Sequence, residues 1–227
     1  METSLHRQLK DLYADGDAQQ ETALGNFRID VVSGDELVEL QHGSLAAIRD
    51  KVAALVQEHR VLVVKPIVAR KSIVRQDRKS GRVLGRRLSP KRGQILDVFH
   101  ELVYFTRVFP HRNLCLEVPL VEIEEWRYPG HGRRRRRRKN DHVVEDQKLL
   151  HIGKIHRFRN GTDLVRLIPP GLPPTFHTGD LAQLLGISRW MAQRIAYCFR
   201  RMKIATEVGK SGNALLYEFS RIDRAAA

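Results

Sequence analysis

From Phe27 to Gln41 the chain reads FRIDVVSGDELVELQ, with apolar and polar positions alternating on both sides of Gly34 and Asp35. This is the pattern of two strands joined by a two-residue turn. That turn predicts pairing of Ser33 with Glu36, Val31 with Val38, Asp30 with Glu39 and Arg28 with Gln41. Side chains alternate faces along a strand, so Ile29, Val31, Val38 and Leu40 should share an apolar face. Arg28, Asp30, Glu39 and Gln41 should share the polar one. A slip of one residue would bury the carboxylates and expose the valines, which specifies the register. Like charges placed opposite each other cost stability, and a hard divalent cation held by their oxygens reverses that cost.

The flanking segments follow the same logic. Ser4 to Ala14 has a helical stripe of Leu5, Leu9, Leu12 and Tyr13, with Thr3 or Ser4 as its cap. Ser44 to His59 predicts a second helix with Ile48, Val52, Leu55 and Val56 inward, and Val61 to Val68 a nearly continuous apolar strand. Further on, Ser72–Asp77 and Arg82–Leu88 read as strands around a turn. Gln94–Val108 reads as a buried helix, and Asn113–Trp126 as a long strand interrupted by Pro119. Glu117, Glu122, Glu124 and Glu125 alternate with Val and Ile there, the mark of a strand's polar face. Asp141–Leu150 reads as a helix, and Ile152–Ile168 as a strand pair turning at Asn160-Gly161.

Near the C-terminus, Thr178 to Leu185 predicts a short helix capped by Thr178. A turn at Gly186, Ile187 and Ser188 leads into a longer helix to Met202. Two strands follow, Ala205–Val208 and Ala214–Phe219, with Lys210 near their tip. The region resembles a winged helix-turn-helix. That resemblance implies a second helix in the DNA major groove and a wing on phosphates. Ser188, Arg189, Gln193 and Arg194 become the groove-facing candidates, with Lys210 on the wing.

The order helix, hairpin with an Asp and an E-x-Q, helix, strand resembles the core of the PD-(D/E)XK nuclease superfamily over roughly the first seventy residues. It also resembles a group of bacterial proteins with the same ID-V and E-x-Q-x-G-S segments. The resemblance implies that Asp30 and Glu39 bind Mg²⁺ or Mn²⁺, that Gln41 stands where the family has lysine, and that Glu2, or Glu21 in its place, adds a third acid. A lysine there stabilises charge on the phosphorane. Glutamine brings an amide that can hold a water but no charge. Arg28, Lys51 and His42 are the possible replacements, His42 ranking below Arg28 because a regular strand turns it away from Gln41.

Forty Lys plus Arg against 26 Asp plus Glu leave a net charge of +14, which fits a polyanionic partner. Much of it sits in Arg133, Arg134, Arg135, Arg136, Arg137, Arg138 and Lys139. Such a block self-repels and reads as a solvated loop over 131–140 that clamps DNA backbone, or as a nuclear localisation signal. Two cysteines are too few for a disulfide framework. No segment reaches the length of a membrane span, so a cytoplasmic, nucleoid-associated protein is expected.

The expected architecture is therefore an α/β (α+β) mixed sheet flanked by helices, of restriction-endonuclease-like type, over residues 1–168. A winged-helix module over 169–227 begins at the proline cluster Pro169–Pro174. Two functions remain open. One is a metal-dependent DNA nuclease; the other is a DNA-binding or regulatory protein that keeps the fold without turnover. A helicase partner and a homodimer are compatible with the first.

Overall fold

The computed structural model describes residues 3–130 and 141–220. It is an α/β fold in which an eight-stranded mixed sheet is flanked by helices. The first unit runs α1 (Ser4–Tyr13), β1 (Gln19–Leu24), β2 (Phe27–Ser33), β3 (Glu36–Leu40), α2 (Arg49–Leu55) and β4 (Arg60–Val64). β1, β2 and β3 form an antiparallel meander, and β4 lies parallel to β3. The predicted register holds at Val31 with Val38 and Ser33 with Glu36.

Helices cover both sides of this unit. Leu5 and Leu9 of α1 pack with Val31, Val38 and Leu40, while Val52 and Leu55 of α2 pack with Leu37, Val61 and Val63. Of the two possible caps on α1, Thr3 Oγ1 accepts the His6 N–H. The helix expected over 44–59 starts as a 3-10 turn at Leu45–Ala47 and is helical only over α2.

The apolar strand expected over 61–68 is divided at Lys65 and Pro66. β5 (Ile67–Gln76) continues beyond the break. The long β7 (Leu114–Pro129) lies parallel to both β4 and β5 and is the centre of the sheet. Pro119 does not interrupt it; the strand absorbs the missing N–H as a register shift against its neighbour. β6 (Val83–Leu88) forms one edge beside β5.

Two sequence expectations fail downstream. Residues 141–150 are not helical: β8 (His142–Phe158) pairs with β7 along nearly its whole length. Asn160 is not a hairpin turn either, since its side chain accepts the Asp163 N–H and caps α4 (Gly161–Val165). The buried helix expected over 94–108 shortens to a 3-10 turn at Ile95–Asp97 and α3 (Val98–Leu102).

The C-terminal segment has α5 (Thr178–Leu185), α6 (Arg189–Arg201), β9 (Ala205–Ser211) and β10 (Ala214–Phe219), the last two antiparallel. His177 rather than Thr178 caps α5: its Nδ1 accepts the Asp180 N–H at 3.0 Å, and Asp180 accepts the His177 N–H at 2.8 Å. Gly186 ends α5 at φ 62°, a left-handed position that a Cβ would strain. The core runs unbroken past the prolines. Phe199 meets Phe99 of α3 edge-to-face at 5.6 Å, and Ile195, Cys198 and Phe199 belong to the same buried cluster as Ile29 and Val63.

Candidate functional site

Where β2 and β3 part, Asp30 turns its carboxylate into the sheet. Its Oδ2 accepts the Leu40 N–H at 2.8 Å, a group that would otherwise serve the ladder. Opposite it in β1, Glu21 has φ 56°, and the β1–β2 pairing skips from Thr22–Ile29 to Gln20–Val31. The alternation of β2 breaks there. Ile29 joins the cluster under α2, whereas Val31, Val38 and Leu40 join the one under α1. The single apolar face expected from the sequence is thus divided at Asp30, opposite the left-handed Glu21.

Asp30 and Glu39 meet different cations. His6 Nε2 lies 3.5 Å and Lys10 Nζ 3.9 Å from Asp30 Oδ1, both from α1. Lys51 Nζ, from α2, lies 2.6 Å from Glu39 Oε1 and also donates to the Arg28 carbonyl. Glu39 is buried at 3% exposure, and its Oε1 receives no well-directed hydrogen bond among the described residues.

These settings drive the two acids in opposite directions. Burial alone would raise Asp30, but the hydrogen bonds from His6 and the Leu40 N–H, with the charges of His6 and Lys10, hold it below the usual carboxylate range. For Glu39 burial wins. Lys51 and the Asp30 N–H only partly offset it, the Asp30 charge adds to it, and the group titrates above its ordinary value.

Asp30 lines a cleft of about 470 Å³ with His6, Lys10, Glu21, Gln41 and His42. Glu21 is paired with both Lys10 and Arg28, so that candidate acid is already neutralised. Gln41 spends its amide on the Ser44 carbonyl at 2.8 Å. Sequence reasoning missed what fixes this rim. Buried Lys65 donates to the His42 and Gly43 carbonyls, and Glu101 accepts from Ser44 Oγ at 3.0 Å and the Leu45 N–H at 2.9 Å. Burial, then the Lys65 charge, keeps His42 below the ordinary histidine value.

The acids of β7 are not a solvated face. Glu117, Glu124 and Glu125 are buried. Glu117 pairs with Arg157 and Tyr13, Glu124 with Arg86 at 2.6 Å, and Glu125 with Lys71 at 3.0 Å and with Arg127. A buried carboxylate needs a paired charge, and each of these three meets at least one cation.

At the other end, Ser188 Oγ caps α6 by accepting the Met191 N–H. Arg189, Gln193 and Lys210 are exposed. The Arg194 guanidinium lies over the Trp190 ring at 4.1 Å, and His100 of α3 packs on that ring at 5.1 Å. Glu2 and the run Arg133 to Arg138 fall outside the described residues.

Residues 3–159 match the family described as Domain of unknown function (DUF8091). The chain belongs to that family. The DUF8091 segment takes in the cleft, Lys51, Lys65, Glu101 and the whole of β7 and β8, and ends just before α4. Over 218 residues the chain is 32% identical to an uncharacterized protein of Treponema pallidum (strain Nichols), covering 95% of this chain and 84% of that relative. No solved structure matches.

Proposed function

We propose that this protein is a metal-dependent nuclease that hydrolyses DNA phosphodiester bonds, using Mg²⁺ or Mn²⁺ on a restriction-endonuclease-like core. The observation that carries the reading is the neighbourhood of Asp30 and Glu39 where β2 and β3 separate, with the Asp30 N–H bonded to the Glu39 carboxylate. They lie within a helix, three-strand meander, helix and parallel strand, and Asp30 lines an open cleft. Helices α5 and α6 with the β9–β10 hairpin are read as a winged helix holding duplex DNA, with Ser188, Arg189, Gln193 and Arg194 toward the groove and Lys210 on phosphate.

The residues fit such an ion. Mg²⁺ is commonly held by one or two carboxylates together with substrate phosphates and water. Among the described residues no group of three or more His, Cys, Asp or Glu is arranged to hold a metal, so phosphate and water would have to supply most of its ligands. Glu39 Oε1, which faces the Lys51 ammonium at 2.6 Å, is the oxygen an ion would have to share with that cation. Bound there, the ion would supply Lewis acidity and an activated water.

The chain's own groups do the rest. The Lys51 ammonium stands beside Glu39 and brings the positive charge that Gln41 lacks. Gln41, tied to Ser44, holds the rim rather than the reacting centre. His42, whose proton affinity burial lowers, lines the cleft.

Supercoiled plasmid incubated with Mg²⁺, Mn²⁺ or EDTA tests the reading. Nicking with either metal, none with EDTA, and loss of at least about a hundredfold in Asp30→Asn and Glu39→Gln are expected. DNA binding without cleavage in any metal would establish the other reading, a DNA-binding protein that keeps this core. The cations already paired with both carboxylates favour that alternative. A helicase partner or a homodimer would add processivity or a second cut and is not needed for nicking.

A further inference from the structure

We propose that the groove between the β5–β6 hairpin and the C-terminal end of β7 binds single-stranded nucleic acid. It encloses about 690 Å³ and shares no lining residue with the cleft. The proposal rests on the reading of this chain as a nucleic-acid-binding protein and is independent of cleavage.

The cations fall into two sets. Lys71 and Arg127 form an inner pair fixed by buried Glu125, which Gln147 also holds at 2.8 Å. Arg75, Arg87 and Lys91 form an outer set, exposed and without a carboxylate partner among the described residues. Asp141 is the one acid lining the groove among those residues. A fixed floor of charge with free cations above it suits a chain of phosphates rather than a single anion.

The walls narrow the ligand further. Tyr128, Ile73, Leu84, Pro90 and Pro129 interleave with the cations. Duplex phosphates have no use for apolar walls, whereas unpaired bases stack on aromatic and apolar surface while the backbone follows the charges. β6 supports this. Every one of its residues is exposed, including Leu84 at 51% and Leu88 at 50%, and Gly85 has open space where a Cβ would stand. An anionic membrane would meet a convex basic surface, not this concave one.

Fluorescence anisotropy with a labelled thymidine oligomer, a blunt duplex and phosphatidylserine vesicles, all in EDTA, tests the proposal. Using EDTA separates it from any failure of the cleavage reading. The triple variant Arg75→Gln, Arg87→Gln, Lys91→Gln is expected to lose at least about tenfold in oligomer affinity. Its salt slope should fall by about two, three phosphate contacts at roughly 0.7 each. Tyr128→Leu, which leaves the charges in place, should lose about tenfold. The charge-retaining double variant Arg75→Lys, Arg87→Lys should retain the slope. Unchanged oligomer affinity and slope in the triple glutamine variant would overturn the assignment. So would equal losses on duplex or vesicles, which would make the groove a general basic surface.

Discussion

Lys51 of α2 sets its ammonium 2.6 Å from Glu39 Oε1, tying that helix to the buried carboxylate of β3. Removing one member of a buried ion pair leaves an uncompensated charge, at a cost of about 3–5 kcal/mol. Lys51 is one-fifth exposed, so Lys51→Met should cost about 3 kcal/mol at neutral pH. The loss should shrink as acid protonates Glu39. Urea unfolding at acid and neutral pH measures both, and a pH-independent loss would assign Lys51 to packing alone.

Asp30 and Glu39 should also titrate the fold in opposite senses. Asp30 is depressed in the folded state, so its contribution is present above its ordinary value of 3.8 and lost as pH falls through the lower folded value. Glu39 is raised, so its contribution is present below its ordinary value of 4.5 and lost as pH rises through the higher one. Asp30→Asn should therefore flatten the acid-side loss of stability, and Glu39→Gln the decline on the way to neutrality. Denaturant midpoints across that range distinguish the two.

Lys65 is 6% exposed and holds two rim carbonyls while facing Glu101 at 3.8 Å. Lys65→Met should cost about 2–3 kcal/mol, because those carbonyls lose their donor and Glu101 its cation. If the cleft is the reactive site, cleavage should fall with it even at temperatures where the variant is fully folded. Parallel melting curves and plasmid assays separate stability from positioning.

Trp190 is 55% exposed and carries Arg194 over its ring. Duplex binding at α6 should change its emission. In a Trp126→Phe background, which leaves Trp190 as the sole tryptophan of the two, titration with duplex should quench or shift the signal. Arg194→Ala should weaken the same titration. A silent Trp190 at saturating duplex would remove α6 from the contact surface.

Phe199 is fully buried against Phe99 and Phe219. Truncation to alanine should cost about 3–5 kcal/mol. Since the cluster spans the proline segment, calorimetry should show a single transition that moves as a whole, rather than a C-terminal unit melting first.

The hairpin register was readable near the turn, where alternation and Gly34-Asp35 admit one pairing, but the ladder stops at Val31–Val38, short of the expected Asp30–Glu39 and Arg28–Gln41 pairs; α5 and α6 were readable because Gly186 and Ser188 punctuate them. The distortion at Asp30 was not readable, since nothing marks Glu21 for a left-handed backbone. β1 (QQETAL) has no apolar periodicity and owes its place to pairing with β2. In residues 141–150 the spacing of Val143, Val144, Leu149 and Leu150 mimics a helical stripe, and pairing with β7 overrides it. Glu117 and Glu125 looked solvent-facing because alternation shows which side a residue faces, not whether other elements cover that side. Lys51 was named only among substitutes for a missing charge, and the roles of Lys65 and Glu101 depend on contacts far apart in sequence.

The break at Lys65 and Pro66 leaves β4 and β5 as successive lengths of one beam, clamped along β7. Gln41 docks on Val64 near one end, and Arg75 stands toward the other. Counted along the continuous β7, from Glu117 opposite Val64 to Arg127 opposite Arg75, ten residues of about 3.3 Å each separate them by roughly 33 Å, close to one turn of duplex. A sheet of that span holds the rim of the cleft and the groove at a fixed separation, so any one strand engaging both would be held at two points whose distance is decided by the protein rather than by the ligand.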